Sequence, residues 1–151
     1  MTTEFELKFQ VPAQRSAAVG ADVARGRSCQ TRLRAHYFDT PDGALARERI
    51  VLRVRREGNT WVQTAKAPGA TLLERHEHNV TLPATGDDRQ PLPDLKHHRG
   101  TEVGRLLAKA LRRAGHAADG AALHPTYRMD VTRRSRVMRA GDAVVELALD
   151  Q

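Results

Sequence analysis

Glu4, Glu6 and Lys8 recur at every second position near the start of the chain. The same spacing returns with two cations at Arg53 and Arg55 and with mixed sign at Arg75 and Glu77, while Lys66, Glu146 and Asp150 sit in further alternating runs. A repeat of two is the repeat of a β-strand, so each set is expected on one face of its strand. Like charges as close as Arg53 and Arg55 repel unless an anion lies between them. Carboxylates take a hard divalent cation, the cation bridges phosphate oxygens, and Arg and Lys neutralise the remainder. Such a mixture in a confined space is what a metal-bound polyphosphate needs. For any one strand the simpler reading is a polar face turned to water. Repetition across segments far apart in sequence favours collection around one axis, as inside a barrel with a polar interior.

The elements that would position these groups follow from the pattern. Residues 4–11 alternate as a strand that Pro12 ends, and the alanine-rich stretch 13–25 suits a short helix. Strands are expected at 35–39, 50–57, 60–67 and 74–82, with Gly58-Asn59 as a hairpin turn. Residues 83–100 read as a loop. Thr101 then caps a helix carrying Val103, Leu106, Leu107 and Leu111 at helical spacing, and Gly115 ends it. A strand from about Pro125 to Arg139 turns at Gly141-Asp142 into a last one, 143–150. Hairpin-connected strands with two helices predict an α+β fold on an antiparallel sheet. A polar lumen drives apolar packing outward, so Phe5, Leu7, Ile50, Leu52 and Val54 are expected to meet the helix face outside the wall.

Composition narrows the partner. A length of 151 residues fits one domain, read as spanning 1–151, and 40% hydrophobic residues support a core. The 25 Lys and Arg exceed the 18 Asp and Glu, giving +7 and pointing to an anionic partner. Arginine, the planar phosphate fork, dominates. Aromatic residues at 4% supply few stacking platforms, which argues against nucleic acid. No apolar run approaches a membrane span and no signal peptide opens the chain, so the compartment is read as the cytoplasm. Cys29, the only cysteine, is an ordinary thiol. His76 and His78 would face away from Glu77, and His97-His98 are expected in solvent. Arg112-Arg113 read as a solvated helix end.

Taken together, the motifs resemble the CYTH superfamily of triphosphate tunnel metalloenzymes, nearest to its bacterial inorganic triphosphatase branch. Glu4-Phe5-Glu6-Leu7-Lys8 resembles the family's E-x-E-x-K signature, and Tyr37 to Pro41 its second strand and turn. Leu52 to Arg55 resembles L-R-x-R, Gln63 to Lys66 the T-x-K strand, Arg75 and Glu77 R-x-E, Pro125 to Arg133 the long arginine strand, and Val145 to Asp150 the E-x-A-x-D strand. The resemblance implies an eight-stranded tunnel that hydrolyses inorganic triphosphate with Mg²⁺ or Mn²⁺. It implies metal-holding roles for Glu4, Glu6, Glu77, Glu146 and Asp150, and phosphate-binding or tunnel-lining roles for Lys8, Arg53, Arg55, Lys66, Arg75, Arg128 and Arg133. Glu4, Glu6 and Lys8 would be the catalytic set. A regular strand cannot turn both Arg128 and Arg133 inward without a bulge. Relatives continue past this point with a glutamate-rich final strand, whereas this sequence stops at Gln151. The expectation is therefore a barrel lacking that strand, with open edges that favour self-association and reduced activity at this length. The alternatives are a phospho-ligand binding module without turnover, or a nucleotide-using relative such as a class IV adenylate cyclase or a thiamine triphosphatase.

Overall fold

The computed structural model describes residues 2–83, 89–119 and 121–151, with side chains from Glu6 onward. The elements are β1 (Thr2–Phe5), α1 (Ser16–Val23), β2 (Cys29–Asp39), α2 (Ala44–Arg47), β3 (Val51–Glu57), β4 (Thr60–Pro68), β5 (Glu74–Leu82), α3 (Glu102–Arg113), β6 (His124–Ala140) and β7 (Ala143–Asp150). They form one seven-stranded sheet in the order β1-β5-β4-β3-β2-β6-β7, antiparallel throughout. The sheet curls. Glu6 and Lys8, just past β1, act electrostatically on Arg133 and Asp150 of β6 and β7, although β1 and β7 are the two ends of the strand order. Among the described residues no ladder joins those ends, so the wall is an open, curled sheet, as expected for a barrel lacking a strand.

The hydrophobic core lies on the convex back. Leu52, Val54, Ala65 and Ala67 of β3 and β4 pack against Val103, Leu107, Ala110 and Leu111 of α3, all buried, with Leu106 partly buried beside them. Ala65 and Ala67 are small enough to let the helix sit close, and each buried Leu contributes about 1.5–3 kcal/mol. Thr101 caps α3 as expected: its Oγ1 accepts the Gly104 N–H at 3.0 Å, worth about 1 kcal/mol. Gly104 has a steric reason to lack a side chain, since a Cβ there would meet the His98 carbonyl oxygen at 1.9 Å. The first turn of α3 is thereby pressed onto the short 3₁₀ turn Leu95–His98.

Several expectations are corrected. The first strand ends at Phe5 rather than running to Val11, and Leu7 and Phe9 are 66% and 82% exposed rather than packed outside the wall. Alternation alone does not make a strand; residues 6–11 have no neighbouring ladder. The Phe5 side chain lies outside the described part. β2 starts at Cys29, well before residue 35, because it pairs with the long β6 along its whole length. The short helix α2 carried too few residues to show a period. Within the 83–100 stretch, of which residues 84–88 lie outside the described part, His98 is fully buried rather than solvent-exposed.

Candidate functional site

Strand register decides which side chains share the concave face. Arg53 and Arg55 stand opposite Thr64 and Val62, and Val51 opposite Lys66. Lys66 faces Glu77, and Thr64 faces Asn79. Arg53 also stands opposite Tyr37, which stands opposite Tyr127. Continuing outward, Arg133 lies opposite Thr31 and pairs with Asp150, while Glu146 is four residues away on the same face of β7. Five strands thus deliver Arg53, Arg55, Lys66, Glu77, Arg133, Glu146 and Asp150 to one concave surface.

A chain of polar contacts fixes the middle of it. Lys66 Nζ lies 2.8 Å from Glu77 Oε2. Asn79 Nδ2 donates to Glu77 Oε1 at 2.8 Å, and Thr64 Oγ1 donates to Asn79 Oδ1 at 2.6 Å. Arg53 Nη2 donates to Thr64 Oγ1 at 3.3 Å. Arg55 is engaged by Glu57 on its own strand. Arg133 forks onto Asp150 through two contacts of 2.7 Å. That fork lowers the Asp150 pKa and raises that of Arg133, and in both cases the hydrogen bonds to the partner lead.

Arg53 is the unusual member. Burial, and then the adjacent Arg55 charge, lower its pKa against the opposing pull of Tyr37 and Glu77. Its Nε is buried and finds no acceptor among the described residues. A desolvated guanidinium donor left unpaired is costly, and an anion between Arg53 and Arg55 would relieve both the missing bond and the repulsion. At one end of the concave face a cavity of about 300 Å³ is lined by Glu6, Lys8, Lys66 and Arg75, with Arg49 at its rim. Lys8 Nζ lies 3.6 Å from Glu6 Oε1.

Most of the residues expected at the site are brought together; others are not. Arg128 is the exception among the arginines: it pairs in register with His36, and its charge helps lower the pKa of that histidine, after burial. The register shift at Tyr37/Phe38 leaves Thr126 of β6 as the extra residue, before Arg128, and the run from Arg128 to Arg133 spans an odd number of positions without a further shift, so Arg133 faces inward and Arg128 outward. Glu4 stands on β1 opposite Arg75; its side chain lies outside the described part. Glu77 and Asp150, expected as metal ligands, are each held by a cation. Thr64, Asn79 and the stacked Tyr37–Tyr127 pair, centroids 4.3 Å apart, were missed as site residues. Their positions, two residues from or opposite the assigned charges, were the available signal.

Carboxylates on this face suit a hard cation, but among the described residues no three His, Cys, Asp or Glu gather as a metal-holding group. That is compatible with Mg²⁺, which is commonly bound by one or two carboxylates and completed by water and substrate phosphates.

Comparison with known proteins agrees with this architecture. A family model describing the CYTH domain matches residues 2–151. The fold is similar to that of a candidate adenylate cyclase from Bacillus halodurans, with a TM-score of 0.60 at 19% identity over 100% of this chain and 75% of that one. It is also similar to a candidate adenylyl cyclase from Hippeastrum described as having a dominant triphosphatase activity, with a TM-score of 0.53 at 15% identity over 93% of this chain and 69% of that one. No curated protein matches.

Proposed function

The chain belongs to the CYTH domain family, and from that premise we propose that its concave face binds inorganic triphosphate and hydrolyses it to pyrophosphate and phosphate with a divalent cation, Mg²⁺ or Mn²⁺. The observation that carries the reading is the buried, acceptor-less Nε of Arg53 beside Arg55. In this reading Arg53, Arg55, Lys66 and Arg133 bind phosphate oxygens, with Lys8 and Arg75 at the cavity end. Glu6 and Glu146, with Glu4, are the candidate metal ligands. Glu77 and Asp150 orient Lys66 and Arg133. The metal, when bound, neutralises phosphate charge and polarises the phosphoryl oxygen. Holding the phosphate chain in line for attack is the task of the cations, whose positions are set by the Lys66–Glu77–Asn79–Thr64–Arg53 chain rather than by flexible loops. In this reading the proton that the attacking water gives up passes to a phosphate oxygen or to solvent. Water adds to the terminal phosphorus, the bridging P–O bond breaks, and pyrophosphate leaves.

A second reading is a phospho-ligand binding module without turnover. It is favoured by the ion pairs that already occupy Glu77 and Asp150. Phosphate release from triphosphate, with ATP as a competing substrate, separates the two when measured with Mg²⁺, with Mn²⁺ and with a chelator. Metal-dependent release supports the enzyme. Tight triphosphate binding by calorimetry without release selects the binding module. Equal release in the chelator removes the metal role, and preference for ATP moves the reading to a nucleotide-using enzyme.

A further inference from the structure

A second basic cavity, of about 310 Å³, lies on the convex side at the same end of β3 and β4, between α2 and α3. Arg47, Arg49, Lys109 and Arg113 line it, against a single carboxylate, Glu48. Arg47 is held by Asp42 and Arg113 by Glu48. The side chains of Arg49 and Lys109 make no ion pair among the described residues. Arg49 lines both this cavity and the concave one that holds Glu6, Lys8, Lys66 and Arg75, so it stands on the rim between them.

The backbone places it there at a cost. Arg49 has φ 56°, the only non-glycine residue with positive φ among those described. The turn is fixed by Arg49 N–H to the Ala46 carbonyl at 3.0 Å and Ile50 N–H to the Leu45 carbonyl at 2.9 Å. This bond pair is a helix C-cap that ends α2 with Arg49 in the left-handed position, which glycine usually takes. Both cavities are about as large as the smallest ligand pockets. The charge decides the occupant of the convex one: a neutral group such as a nucleoside base would leave Arg49 and Lys109 unanswered, whereas phosphates would satisfy them.

We propose that the convex cavity is a second anion subsite, joined to the concave one over Arg49, and that it takes the distal phosphates of a linear polyphosphate longer than triphosphate. The proposal rests on the concave face being the primary phosphate site, as proposed above.

The test measures binding of inorganic triphosphate and of a long linear polyphosphate by calorimetry, on the wild-type chain, on Lys109→Ala/Arg113→Ala, on Arg49→Gly and on Arg53→Met. The double variant is expected to keep triphosphate affinity within about twofold and to lose about tenfold on the long chain, the size of one charge-assisted contact. Arg49→Gly removes the charge while relieving the backbone, so it is expected to fold normally and also to weaken the long chain. Unchanged long-chain affinity in both variants overturns the subsite. So does an equal loss of the double variant on triphosphate, or an equal loss on duplex DNA, which would make the cavity an unspecific basic surface. If Arg53→Met binds triphosphate as the wild type does, it is the primary site that fails, whatever the Lys109 variants do.

Discussion

Two buried polar side chains on opposite faces of the sheet, Gln63 and Arg53, differ in how fully they are satisfied. On the convex side, Gln63 of β4 is fully buried and fully satisfied: its amide nitrogen donates to the Asp94 carbonyl at 2.8 Å and contacts His98 Nε2 at 2.9 Å, and its oxygen accepts the Asp94 N–H at 2.9 Å. His98 in turn meets His78 Nδ1 through its own Nδ1 at 3.0 Å. With both amide hydrogens of Gln63 directed outward, His98 Nε2 must accept, so Nδ1 carries the proton and the ring is neutral. On the concave side, one residue further along each strand, Arg53 keeps a buried donor without an acceptor. A polar network closed on itself fixes structure; since His76 Nδ1 and Arg136 Nε are also buried without a partner among the described residues, it is the company of Arg55 and Lys66 that turns the open donor of Arg53 toward a ligand.

The comparison can be broken most forcefully at the core that both faces share. Leu107→Ala, in the fully packed α3 interface, is expected to cost about 2–5 kcal/mol in denaturant unfolding. Triphosphate affinity at a temperature where the variant is folded should stay unchanged, and a loss there would mean the faces are coupled.

Acid should open the convex network next. Burial first, then the charges of His78 and His97, lower the His98 pKa to about 4 from an unfolded value near 6.5. A depressed folded pKa contributes stability that is complete above pH 6.5 and is lost as pH falls from there toward 4, at most about 3 kcal/mol. Urea midpoints between pH 7 and pH 4.5 measure it, and His98→Gln should flatten that part of the profile. An unchanged slope in the variant would assign the acid sensitivity elsewhere.

Arg53→Met gives the sharpest contrast between the faces. It removes a desolvated charge with an unpaired donor, so the melting temperature should hold or rise while triphosphate binding weakens by about tenfold or more. A fall in stability with unaltered binding would make Arg53 structural, like Gln63. Smaller still is Glu6→Gln, which should reduce the response of phosphate release to Mg²⁺ a few-fold and leave unfolding where it was. An unaltered metal titration would remove Glu6 from the ligand set.

The inward charges were legible in the sequence because strand parity is local. Once Arg53 and Arg55 are read on one face, register carries the assignment to Lys66, Glu77 and Arg133. The α3 cap was legible for the same reason, with Thr101 and Gly104 only three residues apart. What was hidden depends on distant partners. His98 looks like half of an exposed pair until Gln63 and His78, 35 and 20 residues away, enclose it. The early end of β1 depends on where β5 stops offering a ladder, which alternation in residues 6–11 cannot reveal. Arg128 and Arg133 differ only by parity along β6, so a family pattern that accepts either needed the register to choose.

The β2–β6 ladder has a consequence for the order in which the molecule is made. β2 lies between β3, its near neighbour in sequence, and β6, whose Ser135 pairs with Cys29. During synthesis, β2 to β5 can assemble and receive α3 while the far edge of β2 still waits for its partner. At roughly 5–20 residues per second, the stretch from Arg113 to Ala140 takes about 1–5 s to emerge, long compared with the microseconds in which hairpins form. Through that interval Leu33 and Ala35, buried once folding is complete, lie on an unprotected strand edge. Chaperone demand is therefore expected to peak before residue 124 emerges and to fall once the β6–β7 hairpin docks.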